Sequence, residues 1–276
     1  MPLLAKKTEM KIKKNTKRAS DFLKSKVPKK YKDFDKLRMM EECFKVSGDG
    51  VFYTVQGEGI STGLPSCFLR LHTCNLRCVW CDTWYTWNHN TKEFWTEFQD
   101  WTIEKTKEKI EKTWGCENSL IQKRLVITGG EPLIQKNKID KLVELMPGWV
   151  FEVETNGTIM PTENMLKKFQ FNCSPKLQNS LNPKAARIKK DVLIHLNKVN
   201  TMFKFVVTSA KDLEEIENDF IRPFSLDVNR IVVMPQGITS DELQINMRKI
   251  VEAVKKRGYR LMGRLQCEIW GGRRKV

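Results

Sequence analysis

From Asp49 onward the chain alternates short apolar runs with amphipathic stretches. Runs at 67–72, 124–128, 149–154, 202–207, 230–234 and 265–270 have the length and the β-branched or aromatic content of buried strands. Between them, apolar residues recur at three- and four-residue spacing near 103–114, 136–146, 211–219 and 240–257, which predicts helices. Strand–helix alternation of this kind predicts parallel βαβ units, so the expected fold class is α/β. Polar or glycine-containing turns close several of the runs. In a barrel-like parallel sheet that edge carries the ligands. The stretch 84–101 departs from the pattern and holds four of the eight tryptophans. Packing into the core is its expected role, with a lid or a dimer face as the alternative.

Composition sets the outer limits. A chain of 276 residues, 40% hydrophobic, fits one domain with a sizeable core, or one domain plus an appendage. No run of 18 uncharged apolar residues exists, so no membrane span is expected. The N-terminus is basic but lacks the apolar stretch of a secretory signal. The net charge of +16 is uneven: residues 1–45 carry fifteen Lys or Arg against six Asp or Glu. A basic, apolar-poor arm of this kind is commonly disordered, and its lysines attract phosphate backbones without sequence preference. Nucleic-acid contact and a plain solvated tail both remain open for it. The expected division is a basic extension over 1–45 and a folded domain over 46–276. Of eight cysteines, Cys43, Cys67, Cys116, Cys173 and Cys267 are scattered, as small core residues are. A reducing, cytoplasmic setting is expected.

The other three are closely spaced: Cys74, Cys78 and Cys81, in the spacing C-x3-C-x2-C. Such a triplet can hold three irons of one [4Fe-4S] cube and leave the fourth iron open to a cofactor or substrate. A structural zinc site is the alternative, with His72 as a fourth ligand. This triplet resembles the hallmark of the radical S-adenosylmethionine (SAM) superfamily, and Gly129-Gly130-Glu131-Pro132 resembles its methionine-binding turn. A narrower set adds Val55-Gln56-Gly57-Glu58-Gly59, Cys81-Asp82-Thr83, Glu154-Thr155-Asn156-Gly157-Thr158, Ser174-Pro175-Lys176 and a tail from Trp270 to Val276. In order and number these are similar to the 7-carboxy-7-deazaguanine synthases, from about Gly48 to the chain end.

That resemblance implies a modified, compact, partial (β/α)6-type radical SAM barrel with a basic N-terminal extension. It implies a carbon–nitrogen lyase that contracts 6-carboxy-5,6,7,8-tetrahydropterin to 7-carboxy-7-deazaguanine with loss of ammonia, on the route to queuosine and other 7-deazapurines. The cofactors implied are a [4Fe-4S] cluster on Cys74, Cys78 and Cys81, SAM, and Mg2+ on Thr83. Gly129, Gly130, Glu131, Ser174, Pro175 and Lys176 would border SAM, with Glu131 and the turn's backbone carbonyls as acceptors for its ammonium. Val55, Gln56, Gly57, Glu58, Arg70, Thr128 and the terminal carboxylate of Val276 would border the substrate. Arg70 suits a carboxylate because its planar fork binds two oxygens at once. Gln56 and Glu58 offer an amide and a carboxylate to a guanine-like edge, or else form a plain polar turn. A flavodoxin- or ferredoxin-like reductant and a homodimer complete the picture. The tail reads Gly-Gly-Arg-Arg-Lys-Val where the family more typically has Gly-Asn-Lys-Arg-Gly-Val. No general-base histidine is evident; His89 and His195 lie outside the motifs. Two rivals stand. A glycyl-radical-enzyme activase would share the triplet but not the Gln-Gly-Glu-Gly loop. A zinc-stabilised nucleic-acid-binding protein would need a second ligand pair.

Overall fold

The structure is a computed structural model and describes residues 43–274. Nearly all of the predicted extension, and Val276, lie outside the described residues. One nine-stranded sheet carries the chain, in the order β3-β1-β2-β4-β5-β6-β7-β8-β9. The strands are β1 (Cys43–Val55), β2 (Pro65–Leu71), β3 (Gln99–Thr102), β4 (Arg124–Gly129), β5 (Val150–Thr155), β6 (Phe169–Cys173), β7 (Thr201–Val207), β8 (Ile231–Pro235) and β9 (Arg260–Leu261). From β2 across to β9 every neighbouring pair is parallel. β1 runs antiparallel to both β2 and β3. Six parallel strands of five or more residues with edges left open are the expected partial barrel. Because β1 starts at Cys43, the predicted boundary at 45/46 falls inside a strand.

Helices flank the sheet, with the longer ones packed on one face. They are α1 (Lys92–Thr96), α2 (Ile103–Thr113), α3 (Lys136–Glu144), α4 (Glu163–Lys168), α5 (Lys184–Arg187), α6 (Lys190–Leu196), α7 (Asp212–Glu215), α8 (Arg222–Phe224), α9 (Ser240–Arg257) and α10 (Leu265–Trp270). α9 shows why the sequence forms them: Thr239 accepts from Glu242 N, Asp241 and Glu242 occupy the first turn, and Gly258 ends the helix at φ 71°. The predicted helix at 211–219 is α7, continued by a π-helical segment through Ile221. Alternate strand residues point at the helices: Leu69 and Leu71, Leu125 and Ile127, Phe151 and Val153, Phe203 and Phe205, Ile231 and Val233 all join one apolar core. The residues between them face the concave side, and several carry charge.

Two expectations need correction. The run 265–270, predicted as a strand, is helix α10. A short apolar run fits either state, and here the chain has already left the sheet edge at β9. Strands β1, β3, β6 and β9 went unpredicted. The 84–101 stretch does pack as core: Tyr85, Trp87, Phe94, Trp95 and Trp101 are buried. Among the described residues no helix is long and apolar enough to cross a membrane.

Candidate active site

The C-terminal ends of β2, β4, β5 and β6 bring the predicted cofactor residues together. β2 leads into the cysteine loop, which is pinned at several points. Asn182 donates from Nδ2 to Cys78 Sγ at 3.3 Å, and Leu76 N lies 3.5 Å from Cys74 Sγ. Arg77 N donates to Asn182 Oδ1, Val79 N to Ser180 O, and Trp80 Nε1 to Asn179 Oδ1. The 178–182 segment thus cradles the loop. Burial pushes the Cys78 thiol up to about 11, against the opposing charge of Lys176, and raises Cys74 and Cys81 too. Neutral thiols are the state such a loop holds before a metal displaces the protons. Three thiols on one loop, two of them receiving N–H donors, fit an iron–sulfur cube with an open corner. His72, weighed as a zinc ligand, is instead fully buried with its ring 4.6 Å from Phe94 and 4.8 Å from Phe98.

The Gly-Gly-Glu turn docks directly on this loop. Gly130 N donates to Leu71 O at 3.1 Å, and Glu131 N donates to Thr73 O at 2.8 Å. A Cβ on Gly129 would come within 2.0 Å of Leu71 O, and one on Gly130 within 2.0 Å of Thr73 O. Glycine is therefore required at both positions by close backbone approach. Glu131 behaves differently from its expected role. Its carboxylate is fully buried and accepts from Leu133 N at 3.0 Å, Thr155 Oγ1 at 2.8 Å and Asn156 N at 2.7 Å. It braces the ends of β4 and β5. Asn156 extends the brace: Nδ2 donates to Asn75 Oδ1, and Asn75 Nδ2 donates to Thr158 Oγ1. The Glu-Thr-Asn-Gly-Thr motif thereby fixes the cysteine loop. Beyond β6, Ser174 N donates to Thr155 O, and Lys176 Nζ bonds Ser174 O and Oγ. The Lys176 ammonium lies 5.7 Å from the Trp80 ring centroid, next to the loop, and Pro175 is buried.

The predicted substrate residues gather on the concave face. Arg70 and Thr128 are register partners on β2 and β4, and the Arg70 guanidinium lies 5.5 Å over the Phe52 ring. The Gln56–Leu64 loop folds back across this face. Gln56 Nε2 donates to Glu152 Oε1 at 2.6 Å and Glu154 Oε1 at 3.3 Å. Glu58 pairs with the buried Lys204 and with Arg264 Nε at 2.7 Å, and accepts from Gln266 Nε2 at 2.7 Å. Burial alone would raise the Glu58 carboxyl, but the Lys204 and Arg264 charges outweigh it and hold the group well below the usual carboxylate range. A Cβ on Gly57 would strike Gln266, so the loop and the start of α10 are closely fitted. Val55 stands apart, ending β1 opposite Pro65 and lining a surface cavity of about 380 Å3 with Trp270. The Thr83 hydroxyl makes no cap bond to the 84–86 turn and lies 3.4 Å from Cys81 Sγ. His195 is exposed and His89 packs against Phe94, as expected for residues outside the chemistry.

Several site residues escaped the sequence reading: Glu152, Lys204, Arg264 and Asn182. Glu152 is a fully buried hub that accepts from Gln56, Ser61, Arg124, Gln170 and Asn172. The available signal was a charge interrupting an apolar strand run, as Glu152 and Lys204 both do. In a sheet with one face on the core, such a residue points at the other face.

Comparison with known proteins agrees with this geometry. Residues 69–172 match the radical SAM superfamily model. The 7-carboxy-7-deazaguanine synthase of Pyrobaculum aerophilum is 33% identical, over 81% of this chain and 94% of that protein. The enzyme of the same name from Rhodopirellula baltica is 31% identical, over 81% and 86%. The crystal structure of QueE from Escherichia coli superposes with a TM-score of 0.60 at 26% identity, covering 81% of this chain and 94% of that one.

Proposed function

The chain belongs to the 7-carboxy-7-deazaguanine synthase family of radical SAM enzymes, and from that membership we propose that it converts 6-carboxy-5,6,7,8-tetrahydropterin to 7-carboxy-7-deazaguanine with release of ammonia. The observation that carries the reading is the meeting of the cysteine loop, the Gly-Gly-Glu turn and the Asn156 brace on one sheet edge, beside a concave face lined with buried charge.

Cys74, Cys78 and Cys81 would hold a [4Fe-4S] cluster, which together with SAM would supply one-electron, radical hydrogen-abstraction chemistry. The protein's share is orientation and exclusion of water. Backbone carbonyls at Gly129 and Gly130 would accept from the SAM ammonium, while Ser174, Pro175 and Lys176 would border its ribose and carboxylate. Arg70 grips the substrate carboxylate from the strand that feeds the cysteine loop, with Thr128 beside it in register. Gln56 and Glu58 face the guanine-like edge, their side chains pre-set by Glu152 and Lys204. Thr83 would supply one oxygen to Mg2+, a cation that takes few protein ligands and keeps its waters. The terminal carboxylate of Val276, a one-electron flavodoxin- or ferredoxin-type donor and a second copy of the chain belong to the same reading.

Anaerobic reconstitution with iron and sulfide tests the cofactor part. The parent should gain charge-transfer absorption near ~400 nm, where zinc has none. Cys78→Ala should lose the band and SAM cleavage together. A Cys78→Ala protein with full iron content and turnover would remove the basis of the proposal.

A further inference from the structure

Arg264 directs its three guanidinium nitrogens to three separate loops. Nε donates to Glu58 Oε1 at 2.7 Å, in the loop that folds across the concave face. NH1 donates to Gly237 O at 2.9 Å, just beyond β8. NH2 donates to Asp82 Oδ2 at 2.5 Å, and Asp82 lies between Cys81 and Thr83. The side chain is only 14% exposed. The backbone around it is tied to that loop and to β8: Leu265 N donates to Gly57 O at 3.1 Å, and Met262 N donates to Val233 O at 3.0 Å. No motif identified in the sequence includes this arginine.

We propose that Arg264 is a positioning residue that sets the spacing between the end of the cysteine loop and the Gln56–Glu58 loop, and so the register in which the substrate meets the cluster edge. The identity of that substrate rests on the function proposed above; the strut itself does not. Glu58 has further partners in Lys204 and Gln266, so removing Arg264 leaves it charged and held. Asp82 is half exposed, and among the described residues its bond to this guanidinium is what ties it to the concave-face loop. The planar fork is what allows three directions to be served at once. A lysine keeps the charge but is a point donor on a flexible stem, so it cannot hold two carboxylates and a carbonyl in fixed relation.

The test compares Arg264→Gln, Arg264→Lys, Asp82→Asn and the double variant Arg264→Gln/Asp82→Asn, each as the reconstituted full chain. The first readout is iron per chain, expected at parent level because no cluster ligand is touched. The second is amide hydrogen exchange. Loss of the strut should speed exchange in both 56–64 and 82–87 and leave β4–β7 unchanged. The third is product formed from the carboxylated pterin per SAM cleaved. It should drop in both Arg264 variants, with kcat/KM lower by roughly 10–100-fold, the scale of an ångström of misplacement. The double variant should be no worse than the poorer single, because both changes break the same link. Parent-like exchange in either segment of Arg264→Gln would overturn the proposal. So would additive losses, or full recovery of coupling by lysine. If the parent itself leaves the pterin unchanged, the functional reading fails and the exchange experiment alone decides the role of Arg264.

Discussion

Substituting Gly130 by Ala probes the contact on which the site is built. Its Cβ would lie 2.0 Å from Thr73 O, 2.5 Å from Thr73 C and 2.9 Å from Cys74 Cβ. These are backbone and first-carbon atoms, with no flexible side-chain end to swing aside. Reaching ordinary contact requires the turn and the cysteine loop to separate by about 1.4 Å. That separation breaks the Gly130 N–Leu71 O and Glu131 N–Thr73 O bonds. Two backbone bonds at roughly 0.5–1.5 kcal/mol each, with overpacking at about 1–3 kcal/mol, give a loss of roughly 2–6 kcal/mol. Cys74 moves with the loop, so SAM cleavage should fall by about 100-fold or more. Gly148→Ala serves as the control. There the new Cβ meets nothing within 4 Å, and only the φ of +80° penalises it, by about 1–2 kcal/mol. The assays are denaturant unfolding, iron content after reconstitution, and anaerobic 5′-deoxyadenosine formation. Gly148→Ala should lose some stability and keep its iron. A Gly130→Ala protein with parent iron content and cleavage rate would refute the close-docking argument.

Arg70→Ala should raise KM for the carboxylated pterin by an amount worth roughly 2–5 kcal/mol, with Lys rescuing only partly; equal losses for the decarboxylated analogue would show that Arg70 does not read the carboxylate. Thr83→Ala should weaken Mg2+ stimulation more than SAM affinity, and unchanged Mg2+ dependence would return Thr83 to a structural role. His72 gives a pH signature. Burial lowers its imidazole from 6.5 to about 4, so between those values the unfolded chain binds the extra proton. Stability is therefore lost as pH falls from about 6.5 to 4, by roughly 3 kcal/mol. Unfolding curves of His72→Phe across that range should be flatter than the parent's; parallel curves would contradict the assignment.

How far the sequence could be read depended on what each residue answers to. The parallel block was legible because β2, β4, β5, β7 and β8 are short runs rich in apolar, β-branched and aromatic residues, even where a charge such as Arg70, Glu152 or Lys204 interrupts them. β1 was hidden by Gly48 and Gly50 and by a break in its register between Val46 and Val51. β6 follows α4 without an intervening loop, so no turn marks its start. The cysteine loop and the glycines were legible because ligand spacing and close backbone approach leave local marks. Glu131 was placed in the right turn with the wrong orientation: only the positions of Leu133, Thr155 and Asn156 show that its carboxylate is used internally. Arg264 lies 182 residues from Asp82 and 206 from Glu58, and a pairing so distant has no local signature.

The central claim is tested most directly by one anaerobic incubation. The reconstituted full-length protein receives SAM, a one-electron reductant, Mg2+ and 6-carboxy-5,6,7,8-tetrahydropterin deuterated at C6, and the products are read by mass spectrometry. The account predicts 7-carboxy-7-deazaguanine, ammonia in equal amount, and deuterium in 5′-deoxyadenosine or returned SAM. Cleavage of SAM with no deazaguanine formed and no deuterium transferred would contradict it.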